Sequence, residues 1–389
     1  MLHRLALALT LAASLACAPA PTPATTPAAA VAGTATYFPE PGEAWQRRRP
    51  ADVGMDSAAL AAAVAHAQAS EIAWDRDMGV QIRRNFPNEP YPDIVGPYRD
   101  RGGQNGIVLR RGYIVAEWGD TRRVDMTYSV AKSYLGTLAG LALDAGLIRS
   151  VDDPVRAYVK DGGFDSPQNA PITWRHLLNQ TSEWEGTLFG KPDVADRRRG
   201  YTRTLNAPGT FWEYNDVRVN RLALSLLRVW SRPLPEVLKE RVMDPIGASD
   251  TWEWHGYDSS WVELDSRRVQ SVSGGSHWGG GFWATTRDHA RFGYLMLRRG
   301  RWNDRQLLSE EWIRLATTPA ELRPNYGALW WLNTGRAQYR SASPESYFAL
   351  GAGGNVIWVD PATDVVAVLR WTDTRQVDEF VRLVTAAVK

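Results

Sequence analysis

Two β-hairpin patterns near opposite ends of the sequence constrain the fold more than any other feature. The segments GIVLRRGYIVAEWGD (106–120) and GGNVIWVDPATDVVAVLRWTD (353–373) each contain two apolar runs on either side of a turn. More than 200 residues separate the two patterns. They can share one antiparallel sheet only if the residues between them fold as an excursion from that sheet. We therefore expect an α/β (α+β) fold in which helices flank an antiparallel sheet.

The middle of the chain predicts helices and loops. Apolar periodicity marks the segments ITWRHLLNQTSEW, VNRLALSLLRVW and LPEVLKERVMDPIG. We expect a mostly helical lobe over roughly 150–280, followed by an amphipathic helix from about Thr286. A helix over 55–70 with Asp56 as its N-cap and a closing helix DEFVRLVTAAVK complete the prediction. A cleft between the sheet and the lobe would hold a functional site.

Charge and residue composition argue against several classes of function. The 389-residue chain has 45 basic and 43 acidic side chains, so its formal charge is only +2. A nucleic-acid-binding protein usually has a strong basic excess, and we therefore expect no nucleic-acid partner. The six histidines do not have the spacings of metal ligands. We expect neither a metal ion nor a cofactor.

The beginning of the chain differs from the rest. Residues 1–16 have a basic start, a short apolar run and then small residues, which is the pattern of a secretory signal peptide. The run is too short for a stable membrane span. Cys17, the only cysteine, resembles the lipidation site of a bacterial lipoprotein, and the alternative is a chance cysteine in an ordinary signal peptide. Residues 17–44 are rich in Ala, Pro and Thr and predict a flexible tether before a domain over 45–389.

This pattern also predicts where the protein works. We expect an exported, periplasmic lipoprotein that contacts the membrane only through a lipid on Cys17. Since the chain has a single cysteine, it can form no intrachain disulfide despite its expected export.

A serine and a lysine begin the apolar helix YSVAKSYLGTLAGLALDAG (128–146). The chain has five lysines, and Lys132 alone follows a serine, Ser129, by three positions. Residues three apart project from one face of a helix, so the Lys132 amine can reach the Ser129 hydroxyl. A serine becomes nucleophilic when a neighbour takes its proton, and a half-buried lysine can do so. The alternative is an N-cap serine beside a solvated lysine, but this helix is apolar on nearly every face.

Several motifs together resemble a known family. SVAK, ITWRHLLNQTS, PGTFWEYND, GGGFWATTRDHARFG and GAGGNVIWVDP occur in the order of the serine β-lactamase and penicillin-binding-protein superfamily. They most resemble its class C-like branch, which includes family VIII esterases, D-aminopeptidases and 6-aminohexanoate-dimer hydrolases. The resemblance covers roughly residues 45–389. It implies a β-lactamase/transpeptidase-like fold and a serine hydrolase.

The resemblance implies roles for particular residues. Ser129 would be the acylated nucleophile, Lys132 its proton partner and Tyr214 a general acid/base, with packing as the alternative for Tyr214. Because a phenol beside an ammonium has a lowered pKa, we expect a lowered pKa for Tyr214. The backbone N–H groups of Ser129 and Ala352 would form the oxyanion hole, with Gly354 as the alternative to Ala352.

Other residues are expected to line the substrate cleft. His277 and Trp278 precede a glycine run in a region that lines the cleft of nylon-oligomer-type hydrolases, although a structural role for His277 stays open. The expected substrate-binding residues are Asp216, His277, Trp278, Gly351, Gly353 and Gly354. Three further tryptophans are candidates for the pocket wall: Trp184, Trp330 and Trp331.

Two positions depart from the family pattern. Asp216 replaces the asparagine of the Tyr-x-Asn motif, and its carboxylate would keep Lys132 protonated and leave Tyr214 as the base, unless it points away. The third motif, usually Lys-Thr-Gly or His-x-Gly, is the glycine-rich segment 351–354, which we expect to be a strand. This segment has no cation to hold a substrate carboxylate. Its absence argues against β-lactams and D-Ala-D-Ala peptides as main substrates.

The sequence therefore predicts an exported serine hydrolase that cleaves a small-molecule ester or amide through a Ser129 acyl-enzyme. One alternative is a penicillin-recognising D,D-peptidase or β-lactamase. A second alternative is a non-catalytic binding or sensor protein on the same fold.

Overall fold

The computed structural model describes most of the chain after residue 35. The predicted signal peptide, Cys17 and most of the predicted tether lie outside the described residues. No helix in the described part is long and apolar enough to cross a membrane. The described residues are 36–42, 44–85, 87 and 89–389.

The folded unit begins earlier than predicted, at Thr36. Tyr37 stacks on Tyr113 with ring centroids 4.2 Å apart, and Phe38 packs against the main core. These aromatic contacts attach the segment to the domain. The predicted boundary at residue 45 is therefore too late.

Nine α-helices and fifteen strands lie within the described residues. The helices are α1 (Ser57–Gln68), α2 (Met78–Asn85), α3 (Ala131–Asp144), α4 (Trp174–Leu178), α5 (Asp216–Trp230), α6 (Leu234–Leu238), α7 (Thr286–Leu297), α8 (Glu310–Ala316) and α9 (Val377–Ala387). The strands are β1 (Asn105–Arg110), β2 (Tyr113–Trp118), β3 (Asp125–Met126), β4 (Thr187–Leu188), β5 (Lys191–Pro192), β6 (Glu253–Leu264), β7 (Arg267–Val272), β8 (Gly281–Ala284), β9 (Arg301–Trp302), β10 (Arg305–Gln306), β11 (Tyr326–Gly327), β12 (Trp330–Leu332), β13 (Tyr347–Gly351), β14 (Asn355–Asp360) and β15 (Val365–Arg370). Asp56 caps α1 as predicted, accepting hydrogen bonds from two backbone N–H groups.

The two terminal hairpins meet in one sheet, as predicted. Its seven strands have the order β11-β12-β13-β14-β15-β1-β2, and β1 pairs antiparallel with β15. Successive residues of β1 point to opposite faces. Ile107 and Leu109 join the core that contains α3 and α5, whereas Val108 joins the core that contains α1 and α9. Helices therefore cover both faces of an antiparallel sheet, and the predicted fold class is confirmed.

The lobe between residues 150 and 280 is less helical than predicted. It contains α4, α5 and α6, but β6 and β7 form a hairpin near its end. With β3 and β8 they build a second sheet of order β3-β8-β6-β7. The turn residues Asp265 and Ser266 both have positive φ, 47° and 64°, which is the conformation of a two-residue type I′ turn. The alternation in WVEL and RRVQSV on either side of this turn was the missed strand signal.

Candidate active site

Ser129 lies in a tight 3-10 turn that leads directly into α3. The turn comprises Tyr128–Val130, and Tyr128 adopts a φ of +50°. This left-handed conformation is costly for a residue with a side chain and is often found at functional sites. All residues of α3 from Ala131 to Ala142 are buried, whereas Ser129 remains partly exposed. Ser129 is thus the one accessible residue between Tyr128 and Ala142.

Lys132 connects Ser129 to Asp216. Its Nζ atom lies 2.8 Å from Ser129 Oγ and 2.6 Å from Asp216 Oδ1. The Lys132 side chain is only 1 % exposed. Burial tends to raise the pKa of Asp216, but Lys132 and then His277 outweigh burial and lower that pKa. Asp216 is therefore a carboxylate paired with the Lys132 ammonium, and it does not point away.

Tyr214 is the third member of the group around Ser129. Its phenol shares a hydrogen bond with the Ser129 hydroxyl. Lys132 Nζ lies 4.8 Å from the centroid of the Tyr214 ring. The expected lowering of the Tyr214 pKa is wrong, because burial and then the Asp216 carboxylate raise that pKa and the Ser129 hydrogen bond offsets only part of the rise. Tyr214 therefore rests as a neutral phenol.

One of the three candidate pocket tryptophans lies beside this group. Trp331 stacks on Tyr214, with ring centroids 5.8 Å apart, and is partly exposed. Trp330 and Trp184 are buried in the core, where the Trp184 indole donates to the Gly163 carbonyl oxygen at 2.7 Å. Of the three candidates, only Trp331 can therefore form part of a wall next to Ser129.

The glycine-rich segment 351–354 is not the strand that the sequence suggested. Gly351 ends β13, and the next three residues form the hairpin turn to β14. A methyl group added to Gly351 would lie 3.3 Å from Ser129 N and 2.2 Å from the Thr127 carbonyl oxygen. The backbone at Gly351 thus adjoins the Ser129 amide, as an oxyanion hole built from this turn would require. Asn355 Nδ2 donates to the Ala352 carbonyl oxygen at 2.7 Å and holds the turn.

Gly353 and Gly354 face the interior and not the substrate side of the turn. A methyl group added to Gly353 would lie 2.7 Å from the Trp371 ring, and one added to Gly354 would lie 1.6 Å from the Thr372 carbonyl oxygen. Both glycines have positive φ. We therefore correct their expected role from substrate binding to close packing of the turn.

His277 and Trp278 lie behind Asp216. His277 Nε2 is 2.5 Å from Glu89 Oε2, and the Trp278 indole also donates to Glu89. His277 Nδ1 is 3.7 Å from Asp196 Oδ1 and 4.0 Å from Asp216 Oδ2. Trp278 is 1 % exposed and is a packing residue, contrary to expectation. For His277, the structure supports the alternative of a role inside the protein.

The cluster behind Lys132 also has the spacing of a metal site. Ligand atoms of Asp196, Asp216 and His277 lie within 4.8 Å of one another. The Lys132 ammonium, however, already pairs with Asp216, and Arg198 Nη2 lies 3.2 Å from Asp196 Oδ1. A divalent ion would sit against two cations at short range. We therefore interpret these three residues as a cluster that balances the charge of Lys132, and not as a metal site.

Several residues of the site carried no motif in the sequence. Asp196 accepts a hydrogen bond from Asp216 N at 2.5 Å. Arg370, fully buried in β15, donates to Asn355 Oδ1 at 2.7 Å and to the Met126 carbonyl oxygen at 3.0 Å, and so ties the turn to the Ser129 segment. An arginine within the apolar run VVAVLRW was a detectable signal, since arginine is rarely buried without partners. The sequence missed Glu89, Asp196, Arg198, Asn355 and Arg370.

The sequence matches a family profile over most of its length. The profile described as Beta-lactamase matches residues 100–387. The chain is 25 % identical over 322 residues to the 6-aminohexanoate-dimer hydrolase of Paenarthrobacter ureafaciens, covering 72 % of this chain and 76 % of that protein. It is 27 % identical over 261 residues to an uncharacterized protein of Alkalihalophilus pseudofirmus, covering 62 % of this chain and 71 % of that protein. The predicted resemblance is confirmed.

Solved structures share the architecture at low identity. A penicillin-binding protein homologue from Caulobacter crescentus has a TM-score of 0.56 at 17 % identity, covering 86 % of this chain and 98 % of that chain. A family VIII carboxylesterase has a TM-score of 0.55 at 16 % identity, covering 81 % and 98 %. At such identities the likeness concerns the fold.

Proposed function

The chain is a serine hydrolase of the beta-lactamase family, and we propose that it cleaves an ester or amide bond through an acyl-enzyme on Ser129. The observation that carries this proposal is the convergence of Lys132 and Tyr214 on one partly exposed hydroxyl. The names of two similar proteins, a 6-aminohexanoate-dimer hydrolase and a family VIII carboxylesterase, support an amide or an ester as substrate.

The charge states at the site suggest how the proton moves during acylation. A neutral phenol with a raised pKa is a poor free base. We therefore assign Tyr214 to a relay, in which its oxygen takes the Ser129 proton while its own proton passes to the leaving group. The bond from Ser129 Oγ to the carbonyl carbon forms as the bond to the leaving group breaks. The Lys132 ammonium, 4.8 Å from the ring centroid, stabilises negative charge that develops on the phenol during the transfer.

Deacylation would use the same groups in reverse. Tyr214 takes a proton from water as the water oxygen attacks the acyl carbon, and a proton returns to Ser129 Oγ as the acyl–oxygen bond breaks. In both steps negative charge develops on the carbonyl oxygen. Backbone N–H groups of Ser129 and Ala352 are our candidates to stabilise it, supported by the close approach of Gly351 to Ser129 N.

The substrate that we propose is uncharged near the scissile bond. No side chain from Tyr347 to Gly354 is charged, so the sequence motif that holds a substrate carboxylate in penicillin-recognising enzymes has no cation here. Arg198 is near the site, but it already pairs with Asp196 and donates to the Tyr214 carbonyl oxygen at 3.0 Å. This favours short esters or amides over β-lactams.

We also propose that the chain is exported and lipidated at Cys17, on the strength of the sequence pattern alone. Mass spectrometry of the N-terminal peptide from membrane-bound protein would carry a diacylglycerol mass on Cys17. Recovery of the protein with an unmodified Cys17, or the same membrane binding in a Cys17→Ser variant, would contradict lipidation.

The nucleophile is tested by acylation of a single serine. A fluorophosphonate should label Ser129 in the natural protein and leave Ser129→Ala unlabelled and inactive on p-nitrophenyl butyrate. Ser133→Ala is the matched control, since Ser133 lies one turn along α3, is buried and bonds the Leu329 carbonyl oxygen. It should keep both labelling and activity. An acyl group found on another residue would overturn the assignment.

A further inference from the structure

We propose that Glu89 and His277 are positioning residues that set the charge around Asp216 and thereby the pH range in which Ser129 is acylated. The inference rests on the proposed function, because it concerns the acylation of Ser129. It assigns both residues a role away from the substrate. The sequence predicts His277 as a substrate-binding residue and assigns no role to Glu89.

The geometry is a continuous buried path of charged groups. Glu89 contacts His277 Nε2 at 2.5 Å, and His277 Nδ1 lies 4.0 Å from Asp216 Oδ2. The other oxygen of Asp216 contacts Lys132 Nζ at 2.6 Å, and Lys132 contacts Ser129 Oγ at 2.8 Å. The Glu89 and His277 side chains are each 5 % exposed. At this burial, water screens the charges along the path only weakly.

Charged groups face His277 on every side. Three carboxylates lie around the ring, those of Glu89, Asp196 and Asp216. Beyond these carboxylates lie three cations: Lys132 on Asp216, Arg198 on Asp196, and Lys191, whose Nζ is 5.1 Å from the centroid of the neighbouring Trp278 ring. A charged imidazole at this position is attracted by all three carboxylates.

The charge on His277 follows from this arrangement. Burial tends to lower the pKa of His277, but the Glu89 hydrogen bond and the Asp196 and Asp216 carboxylates outweigh burial and raise that pKa. The ring is therefore more protonated near neutral pH than a free imidazole. An imidazolium beside Asp216 offsets part of the carboxylate's field, which otherwise disfavours the negative charge that develops on the Tyr214 phenol during acylation.

Solvent can reach this cluster from outside. A cavity of about 240 Å³ borders Glu89, Asp196 and His277, and Arg198 and Tyr201 also line it. Tyr201 is 45 % exposed, so the cavity opens at the surface. Protons can thus exchange between the medium and His277 without passing Ser129.

The test compares the pH dependence of kcat/KM on p-nitrophenyl butyrate in His277→Gln, Glu89→Gln and the double variant. The imidazolium supports acylation only while His277 is protonated, so kcat/KM should fall as pH rises through the pKa of His277. His277→Gln should lack this basic limb and keep a lowered kcat/KM at every pH. Glu89→Gln should move the basic limb to lower pH by on the order of one pH unit, because His277 loses the partner that keeps it charged. The double variant should match His277→Gln, since both changes act through one charge.

The matched control is another carboxylate–histidine pair of the chain. Glu253 and His255 are 2.6 Å apart and partly exposed. His255→Gln should leave the profile unchanged. A basic limb that moves equally in His255→Gln would overturn the inference, as would a His277→Gln profile that keeps the basic limb of the natural protein at the same midpoint.

Labelling of Ser129 by a fluorophosphonate, measured as a function of pH, distinguishes a failure of the proposed function from a failure of the roles assigned to Glu89 and His277. If the natural protein is not labelled at Ser129, the proposed function fails. If it is labelled, and His277→Gln is labelled with the same pH midpoint, only the present inference fails. Circular dichroism verifies the fold of each variant. If His277→Gln does not fold, the Glu89→Gln profile decides, and an unmoved midpoint there overturns the inference.

Discussion

The Lys132 ammonium and the Asp216 carboxylate form a buried ion pair, with 2.6 Å between Nζ and Oδ1. The pair joins the first turn of α3 to the first residue of α5. Removing one partner of a buried pair leaves an uncompensated charge, which is costly. In the proposed mechanism Lys132 acts as a cation, and changes in the charge around Asp216 should therefore appear in the pH dependence of the rate.

Asp216→Asn should move the basic limb of kcat/KM to lower pH. After the Glu89 hydrogen bond and the Asp196 carboxylate, the Asp216 carboxylate raises the pKa of His277, and the amide removes that charge. The expected direction is the same as that of Glu89→Gln. The measurement is the pH profile on p-nitrophenyl butyrate, with circular dichroism as the check on folding. A limb that stays in place or moves to higher pH would contradict the role of Asp216.

Tyr214→Phe should lower kcat by about 10²- to 10⁴-fold, the range for loss of a general acid/base. The ring can still stack on Trp331, so the fold should remain intact. Tyr326→Phe is the control, because Tyr326 packs edge-on against Tyr214 and is buried. It should keep kcat within a few-fold of the natural protein. Similar losses in both variants would show that packing, and not the Tyr214 hydroxyl, is what matters.

Glu183→Gln should destabilise the fold in a pH-dependent way. Burial tends to raise the pKa of Glu183, but hydrogen bonds and charges from Arg203 and Arg218 outweigh it and lower the pKa to about 2. Because the folded pKa lies below that of the unfolded chain, the charged carboxylate stabilises the fold above about pH 4.5 and loses this effect as pH falls toward 2. The contribution at pH 7 is roughly 3 kcal/mol.

Urea unfolding at pH 7, 5 and 4 measures this difference. The gap in unfolding free energy between the natural protein and Glu183→Gln should begin to shrink below pH 5. Glu185→Gln is the control, since Glu185 is exposed and only two residues away. A gap that is constant over this range, or an equal effect in Glu185→Gln, would contradict the assignment.

The enzyme should prefer an uncharged short ester to benzylpenicillin. A cation in the third motif would contribute a charge-assisted hydrogen bond to a substrate carboxylate, typically about 1.5–3 kcal/mol. Its absence corresponds to roughly a ten- to hundredfold lower rate constant. The measurement is kcat/KM for p-nitrophenyl butyrate and for benzylpenicillin on one preparation, with Ser129→Ala as the blank. Equal or faster turnover of the penicillin would replace the proposed substrate class and leave the mechanism in place.

Local patterns were sufficient for much of the fold. The hairpins β1–β2 and β14–β15, the cap of α1 and the apolar helix α3 follow from residue periodicity and turn chemistry, which act between neighbours in the chain. The β6–β7 hairpin could also have been predicted, because its alternation and its two-residue turn are local signals. It was missed because the surrounding helical segments suggested one continuous lobe.

The sequence alone also determined the pair Ser129 and Lys132, since three positions along a helix bring two side chains together whatever the rest of the chain does. Only the tertiary structure decided the charges around that pair. Asp216, His277 and Glu89 come from segments far apart in the chain, and the sequence left two directions open for Asp216. Burial and the approach of several charges together set the proton states of Tyr214 and His277, and both depend on which segments meet in the folded protein.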